Sequence, residues 1–267
     1  MSDALISKVS LRAAGKTFRR RKTEELVVID KVTLDVQPGI FVSFLGASGC
    51  GKSTLLRMIA GLESPTTGQV LIDGEEVTGP QKNVGMVFQS YSSFPWLTVR
   101  ANVEFGLTLN GKNTNPVEQG RVIDKMLDLV GLRNFAEVYP ATLSGGMKQR
   151  LALARTLVLK PSLLLLDEPF GALDAQTRTI LQDQLIEIWK SLDTTICFVT
   201  HDIEEALLLS DVICILSARP ARIKKIVNNP FPRPRDRSIQ THQDFLQNKV
   251  EIFELIKADA YNALRYH

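Results

Sequence analysis

A glycine-rich segment between an apolar run and a helical pattern constrains the fold of this chain more than any other feature. Phe41–Leu45 is predicted to form a strand, and the segment from Gly46 to Ser53 fits G-x-x-x-x-G-K-[ST], the phosphate-binding P-loop. Glycines let backbone N–H groups approach an anion closely, and the helix after the loop adds the positive end of its dipole. Lys52 is expected to bridge the β- and γ-phosphates of a nucleotide, and the Ser53 hydroxyl to bind Mg²⁺. We therefore predict that ATP is bound by Gly46, Ala47, Ser48, Gly49, Cys50, Gly51, Lys52, Ser53 and Thr54.

A later apolar segment ends in two acidic residues. Four leucines, Leu163–Leu166, precede Asp167 and Glu168. In an α/β fold, the carboxyl end of a buried strand delivers its side chains to the edge of the sheet where ligands bind. We predict that Asp167 holds Mg²⁺, directly or through water, and that Glu168 is the general base for the attacking water.

Strand and helix patterns surround a helical middle region. Short β-type segments, Val27–Ile29 and Val32–Val36, come before the P-loop, and apolar residues recur at helical spacing from about Thr98 to Lys160. Strands and helices alternate again from Leu163 to Leu216, which indicates a parallel sheet covered by helices. We predict an α/β fold with a RecA-like P-loop NTPase core, an N-terminal antiparallel β-subdomain and an inserted α-helical subdomain at about residues 90–160.

The last part of the chain is predicted to form a connection and a docked helix. The stretch from Pro220 to Arg237 is rich in Pro, Arg and Lys and is expected to be exposed. The apolar residues on one face of the final helical pattern are Leu246, Val250, Phe253 and Ile256. A C-terminal helix over 241–267 is expected to dock through this face on the domain formed by residues 1–240.

Composition and charge argue against several classes of protein. A hydrophobic share of 44% and a charged share of 23% are typical of globular chains. The net charge of +3 is too small to indicate nucleic-acid binding by itself. Three cysteines without paired spacing indicate neither a disulfide framework nor a zinc site. We expect no signal peptide and no membrane span, since no apolar run approaches the roughly 18 residues that a bilayer requires.

A serine and two glycines open an apolar helix in the segment Leu143–Met147, which makes a second anion-binding helix N-terminus. Together with the P-loop and the acidic strand, this segment closely resembles the signature motif of the ABC ATPase family. The resemblance covers nearly the whole chain, with Met147 where the family's commonest residue is Gln. It implies that the nucleotide is also contacted by Ser144, Gly145, Gly146 and Met147.

Further segments match the family in the same order along the chain. The resemblance implies that Gln89 is the Q-loop glutamine, which binds Mg²⁺ and senses the attacking water. His201 would be the catalytic switch histidine near the γ-phosphate. Asp174, in a segment Ala172–Asp174 that resembles the D-loop, would contact the opposite subunit. Phe18 is similar in position to the aromatic residue that stacks on adenine, and a core phenylalanine is the alternative there.

The family resemblance also implies partners and cofactors. Two ATPase subunits, identical or paralogous, would face head to tail, so that the P-loop of one and the signature motif of the other enclose ATP and Mg²⁺. Hydrolysis would then open the pair. We expect a peripheral protein at the cytoplasmic face of the inner membrane, bound to polytopic permease subunits that an extracytoplasmic substrate-binding protein supplies.

Surrounding sequence favours an importer subunit among the ABC ATPases. The chain has neither the coiled-coil insertion of repair and chromosome ATPases nor the second ATPase domain of translation factors. The segments that resemble the nitrate/sulfonate/taurine importer group are Phe94–Val99, Asp167–Asp174, Ala218–Pro220 and Phe231–Pro234. This resemblance implies uptake of a small anion such as nitrate, sulfonate, taurine or bicarbonate, with no nucleic acid as partner. A free-standing ATPase that acts on nucleic acid through its basic ends is the alternative.

One aromatic segment is a candidate contact with the membrane subunit. Phe94 and Trp96 lie between Gln89 and Phe105, where exposed rings are expected to receive the coupling helix of a permease. Ordinary packing within the helical subdomain is the alternative for both residues.

Overall fold

The chain divides into two units that share the sequence unevenly. The computed structural model describes residues 6–19, 25–90, 92–109, 115–171, 173–192 and 194–265. One unit consists of Met1–Gln81 together with Thr195–His267, and the other of Lys82–Thr194. In chain order the elements are β1 (Val9–Arg19), β2 (Glu25–Val36), β3 (Phe41–Leu45), α1 (Lys52–Ile59), β4 (Thr67–Ile72), β5 (Glu75–Glu76), β6 (Val84–Val87), α2 (Val99–Leu109), α3 (Pro116–Leu129), α4 (Gly145–Leu157), β7 (Leu163–Asp167), α5 (Ala175–Ser191), β8 (Thr195–Thr200), α6 (Ile203–Leu209), β9 (Val212–Leu216), β10 (Ile223–Asn228) and α7 (Gln243–Arg265).

The first unit contains an antiparallel sheet with the strand order β2-β1-β4-β5. β1 pairs with β2 from Val9 opposite Val36 to Arg19 opposite Glu25, and with β4 on its other side. The predicted strands before the P-loop are one strand, β2, with a left-handed backbone at Lys31 (φ 50°) near its middle. The predicted N-terminal antiparallel subdomain is confirmed.

Parallel strands in the same unit position the P-loop. β3 pairs in parallel with β8 and with β9, and β10 runs antiparallel to β9, in the order β10-β9-β3-β8. Every residue of β3 and β8 is buried, because strands of a parallel sheet are covered on both faces. β3 ends at Leu45, so the P-loop begins at the carboxyl edge of these strands, where α/β folds bind ligands.

The second unit combines the parallel pair β6 and β7 with helices α2 to α5. Its helical core contains Val99, Val103, Ile123, Leu127, Leu151 and Ala154. α2, α3 and α4 lie in the region predicted as the inserted helical subdomain. Asp124 of α3 pairs with Arg100 of α2 and with Arg133, so one carboxylate connects two helices and the turn that follows.

The packing face of α7 differs from the predicted one. Phe245 and Ile252 are buried in a cluster with residues of α6 and β9, and Ile256 is partly buried against it. Three residues predicted to face the domain are instead 48%, 60% and 51% exposed: Leu246, Val250 and Phe253. Both sets recur at helical spacing, so periodicity alone does not select the face that docks.

The prediction that Pro220–Arg237 is an exposed connection is wrong in part. The stretch includes β10, and Arg235 is buried, with its Nη1 donating to the Ser210 carbonyl at 2.8 Å. Burial lowers the pKa of Arg235 to about 10, and the nearby charge of Arg233 acts in the same direction. Asp211 accepts from Arg233 Nε at 2.6 Å. The Arg235 guanidinium can be buried because carbonyl and carboxylate oxygens accept hydrogen bonds from its donors.

Within the described ranges, no helix is long and apolar enough to cross a bilayer.

Candidate functional site

The P-loop connects β3 to α1 and folds its lysine back over the loop. Lys52 is 4% exposed, and its Nζ donates to the carbonyl oxygens of Gly46 and Ala47, each at 3.0 Å. Gly49 (φ +74°) and Gly51 (φ +123°) have backbone angles that residues with a Cβ rarely adopt. Gly51 is also the N-cap residue of α1 and has no side chain to occupy the first helical amides. An ammonium group and backbone N–H groups are what a phosphate cradle requires.

The cysteine of the loop is a buried filler. Cys50 is 2% exposed, and its Sγ lies 3.1 Å from the position that a Cβ at Gly46 would take. Burial raises the pKa of the Cys50 thiol, and the charge of Lys52 opposes this rise. A neutral thiol of this kind packs like a small apolar side chain. The half-buried residues in the first turn of α1 are Ser53 and Thr54.

A hydrogen-bonded turn fixes the backbone around His201, whose side chain is exposed after β8. Asp202 caps α6, since its Oδ1 accepts from the amides of Glu204 at 2.8 Å and Glu205 at 3.2 Å. The Thr200 hydroxyl donates to the Glu205 carboxylate at 2.7 Å and accepts from the Asp202 amide at 3.0 Å. His201 is therefore presented from a rigid turn at the carboxyl end of β8.

Phe18 lies near the end of β1, opposite Leu26 of β2, and is half-buried. The Nζ of Lys16 is 5.0 Å from the centroid of its ring and 2.9 Å from the Glu63 carboxylate. This distance is within the range of a cation–π interaction. A half-buried ring retains surface for a base, so the adenine stacking of Phe18 stays a prediction.

Glu168 has a left-handed backbone (φ 44°), which is uncommon for a residue with a Cβ. It follows Asp167, which is 2% exposed and ends the fully buried strand β7. The carbonyl of Glu168 accepts from the Gly171 amide at 3.2 Å, which closes a turn directly after the strand. A left-handed residue costs roughly 1–2 kcal/mol, and such strain concentrates at functional sites.

Two of the motif residues are helix caps. Ser144 is the N-cap of α4, and its Oγ accepts from the Met147 amide at 3.4 Å. Asp174 is the N-cap of α5, and its Oδ1 accepts from the Thr177 amide at 3.0 Å. Hydrogen bonds from Thr177 lower the pKa of the Asp174 carboxyl. Ala172, the first residue of the predicted D-loop, lies outside the described residues.

The signature glycines differ in their surroundings. Gly145 is exposed beside Ser144, whereas Gly146 is buried. A Cβ at Gly146 would lie 2.3 Å from Cγ2 of Thr177, so the close approach of α4 and α5 requires a glycine there. Met147 is half-buried and packs against the helical core. Packing therefore accounts for Met147 without a ligand contact.

A buried asparagine that sequence reasoning missed organises the loop after Gln89, which is itself exposed. Asn102 of α2 is 0% exposed, and its Oδ1 accepts from the Phe94 amide at 2.8 Å. Its Nδ2 lies within 3.0 Å of the carbonyl oxygens of Phe94, Leu97 and Thr98. One Asn in a helical pattern gives no local signal, because these contacts depend on how the loop returns to the helix.

Aromatic rings cluster on the surface of the second unit. The Phe94 ring lies 5.5 Å from that of Trp96 and 4.6 Å from that of Phe105, between centroids. The Arg155 guanidinium lies 4.3 Å from the centroid of Phe94. Trp96 is 69% exposed, an unusual state for so large an apolar ring. We call Phe94, Trp96 and Phe105 the aromatic patch.

Each unit carries a different part of the predicted site. The first unit holds Phe18, Gly46–Thr54 and His201. The second unit holds Gln89, Ser144–Met147, Asp167, Glu168 and Asp174. Within each unit these residues lie at strand ends, in turns or at helix starts, where backbone and side-chain groups are available to a ligand.

Comparisons with known proteins decide the family. A family model described as "ABC transporter" matches residues 29–171. This chain belongs to the ABC transporter family. An uncharacterised ABC transporter ATP-binding protein of Methanocaldococcus jannaschii is 48% identical over 237 residues, covering 89% of this chain and 87% of that protein. A nitrate import ATP-binding protein of Synechocystis is 47% identical over 242 residues, covering 88% of this chain and 90% of that protein. An aliphatic sulfonates import ATP-binding protein of Bacillus cereus is 43% identical over 246 residues, covering 92% of this chain and 96% of that protein.

Solved structures of ABC cassettes have the same fold. A dimeric bacterial ABC transporter cassette aligns with a TM-score of 0.75 at 31% identity, covering 84% of this chain and 100% of that chain. A dimeric ATP-binding cassette in a post-hydrolysis state with ADP and phosphate aligns with a TM-score of 0.74 at 30% identity and the same coverage. The predicted P-loop NTPase fold class is confirmed.

The predicted activity follows from the family. The chain is an ATP-binding, ATP-hydrolysing ABC subunit, and its ATPase activity is coupled to transport. The alternative of a free-standing ATPase acting on nucleic acid is not supported. The roles assigned to individual residues of this ABC ATPase stay predictions.

Proposed function

We propose that this ABC ATPase powers the uptake of a small oxyanion, with nitrate and aliphatic sulfonates as the first candidates. Relatives at 47% and 43% identity carry import names for these anions and are covered almost end to end. The ATPase subunit does not select the anion, since selection belongs to the membrane and substrate-binding subunits. Support for the substrate therefore comes from these relatives, and support for the chemistry comes from the site.

The observation that carries the chemistry is the arched Lys52 side chain. Its Nζ is held by carbonyl oxygens of the loop at 3.0 Å, close to the backbone amides that would meet a phosphate. When ATP binds, the ammonium exchanges these carbonyls for the β- and γ-phosphates, whose charge makes the stronger hydrogen bonds. Lys52 then stabilises the negative charge that develops during phosphoryl transfer.

Ser53 and Asp167 are the proposed ligands of Mg²⁺, with Gln89 as a further oxygen donor. Hydroxyl, carboxylate and amide oxygens are the hard donors that Mg²⁺ prefers, and the buried Asp167 supplies a charge at the end of a rigid strand. The ion would neutralise phosphate charge in the complex. Each of these residues supplies an oxygen and moves no proton.

Glu168 is the proposed general base, assisted by His201. The Glu168 carboxylate would accept a proton from the water that attacks the γ-phosphate. The left-handed backbone at Glu168 would set the direction of this side chain. His201, exposed on a rigid turn, would position water or the γ-phosphate by a hydrogen bond.

A second ATPase subunit is the proposed partner at the nucleotide. Ser144 and Gly145 are exposed at the start of α4, so the N-terminal end of this helix is accessible to a ligand. An outward helix start suits the γ-phosphate of ATP bound to another subunit. Both solved relatives described above are dimers. The active form would then be a head-to-tail pair of this chain or of the chain and a close paralogue.

A polytopic permease is the proposed partner of the aromatic patch. Trp96 is exposed, while Asn102 and Arg155 hold the loop beneath it in place. A rigid, exposed aromatic surface is typical of a protein interface. The chain would thereby lie at the cytoplasmic face of the inner membrane, with an extracytoplasmic substrate-binding protein as an indirect partner.

Purification from native membranes tests this function. A tagged wild-type chain is expected to recover a polytopic permease, and W96E to lose it while keeping its affinity for ATP. F253E is the matched control, because Phe253 is a similarly exposed ring on α7. Uptake of nitrate and of sulfonate is measured in cells that carry wild type or K52A. The transported anion is the one whose uptake falls in K52A. If wild type and W96E bind permease equally, the aromatic patch is not the permease contact. Salt-sensitive retention of DNA or RNA would favour a free-standing ATPase that acts on nucleic acid.

A further inference from the structure

The connection between β9 and β10, residues 217–222, is closed by its own hydrogen bonds. The Ser217 amide donates to the Arg222 carbonyl at 2.9 Å, and the Arg222 amide donates to Ser217 Oγ at 3.0 Å. Ser217 Oγ also lies 3.0 Å from the carbonyl oxygens of Ala218 and Pro220. We call this segment the 217–222 loop. The Ser217 hydroxyl thus connects the first and last residues of the 217–222 loop.

Backbone hydrogen bonds tie the 217–222 loop to β2. The Ala221 amide donates to the Val28 carbonyl at 2.8 Å, and the Asp30 amide donates to the Ala221 carbonyl at 3.0 Å. The Arg222 Nε donates to the Asp30 carboxylate at 3.0 Å. The loop therefore has a fixed position relative to the strands of the first unit.

The P-loop rests directly on this support. A Cβ at Gly51 would lie 3.1 Å from the Val28 side chain and 3.5 Å from the Ala221 Cβ. At the other end of the P-loop, a Cβ at Gly46 would lie 3.2 Å from the Leu216 carbonyl oxygen. Both glycines thus pack closely against β2, β9 or the 217–222 loop, which leaves little room for a side chain at either position.

Arg219 reaches from this support to the tip of the P-loop. Its Nη2 donates to the Gly49 carbonyl oxygen at 2.7 Å. In a trans peptide the carbonyl and the following N–H point in opposite directions, so this bond turns the Cys50 N–H away from Arg219. That N–H points to the Ala47 carbonyl at a long 3.3 Å, and the same oxygen accepts from Lys52 at 3.0 Å. The amide and the ammonium therefore converge on one place.

We propose that Arg219 is a positioning residue of the P-loop, which orients the Cys50 N–H for the phosphates of a bound nucleotide. The inference rests on the proposed nucleotide site. Arg219 acts on the peptide group and makes no contact with the γ-phosphate. Because α- and β-phosphates are common to ATP and ADP, removal of this bond weakens both nucleotides alike.

Nucleotide affinity tests this role in the full-length chain. Dissociation constants for ATP and ADP are measured for wild type, R219M and R219K. R219M keeps the length of the side chain without its donors, and the Kd of both nucleotides is expected to rise about threefold to tenfold. R219K keeps a donor and the charge, and is expected to recover most of this loss. R12M, which removes an exposed charge from β1, is the matched control and should bind like wild type.

The possible results separate the role of Arg219 from the nucleotide site itself. A wild-type chain that binds neither nucleotide would overturn the proposed site, whatever the variants do. If wild type binds and R219M binds equally well, only the role of Arg219 fails. A loss confined to ATP would indicate direct contact with the γ-phosphate, and R219K as weak as R219M would exclude the hydrogen bond. Thermal unfolding without nucleotide, expected to be equal in all four proteins, shows that folding is intact.

Discussion

The signature glycine Gly146 packs against Thr177, with only 2.3 Å between the position of an added Cβ and Cγ2 of the threonine. A residue that sequence patterns associate with the nucleotide is thus also required by the contact between α4 and α5. Substitutions in the signature segment therefore act on the stability of the second unit as well as on the site.

We predict that G146A destabilises the protein by about 1–3 kcal/mol through overpacking, despite the higher helix propensity of alanine. The double variant G146A/T177S is expected to recover most of this loss, since serine lacks Cγ2. Urea denaturation of wild type, both single variants and the double variant gives the coupling between the two positions. If the effects of the two substitutions are additive, Gly146 and Thr177 are not energetically coupled, and α4 and α5 accommodate the added methyl group without overpacking.

Removing the P-loop ammonium should weaken nucleotide binding. K52A removes the ammonium group that is proposed to exchange its hydrogen bonds with the Gly46 and Ala47 carbonyls for hydrogen bonds with phosphate oxygens. The Kd for ATP should therefore rise at least about tenfold. Equilibrium binding of a fluorescent ATP analogue measures this change. K125A, on α3 of the second unit, is the control for loss of one lysine charge, and should bind like wild type. Equal affinities in all three proteins would contradict the phosphate role of Lys52.

Neutralising the proposed base should separate binding from turnover. E168Q keeps the shape of the side chain, so ATP is expected to bind normally while turnover falls by about 10²–10⁴-fold. ATP should then hold two subunits together, which size-exclusion chromatography with ATP detects. E187Q, which removes an exposed carboxylate from α5, should hydrolyse ATP like wild type. Near-normal turnover by E168Q would remove Glu168 from the base role.

Acid should release the carboxylate that connects the helices of the second unit. Hydrogen bonds from Arg133 and Arg100 hold the pKa of Asp124 below its usual value. A depressed folded-state pKa stabilises the protein above the unfolded value of about 3.9, and this contribution is lost as the pH falls through the folded value. Wild type should thus exceed D124N in unfolding free energy at pH 7, and the difference should shrink at about pH 3.

Chemical denaturation at the two pH values measures that difference. D128N changes an exposed carboxylate on the same helix and serves as the control. A gap between wild type and D124N that stays constant with pH would show that the ion pairs with Arg100 and Arg133 contribute no pH dependence.

Local chemistry explains which features the sequence predicted. The P-loop, the acids after β7 and the Ser144 cap each depend on residues that are adjacent in the chain, so their patterns are readable without the fold. The α/β alternation was equally readable, because buried parallel strands leave continuous apolar runs such as Leu163–Leu166.

Contacts between distant segments explain what the sequence did not predict. Arg219 donates to the carbonyl of Gly49, which lies 170 residues earlier in the chain, and the buried Arg235 donates to the Ser210 carbonyl and the Asp211 carboxylate. The docking face of α7 could not be selected because Phe245 and Leu246 begin two apolar rows that are both compatible with helical periodicity. The left-handed backbone of Glu168 has no sequence signal, since residues that favour it are normally Gly or Asn.

At Glu168, the left-handed backbone and the proposed role as general base favour different residue types. Glycine or asparagine at this position would relax the turn after β7 and remove the carboxylate in the same step. With Glu168 as the proposed base, screens that reward heat resistance alone are expected to collect inactive variants at position 168. Directed evolution of a hardier transporter would have to select for uptake in every round.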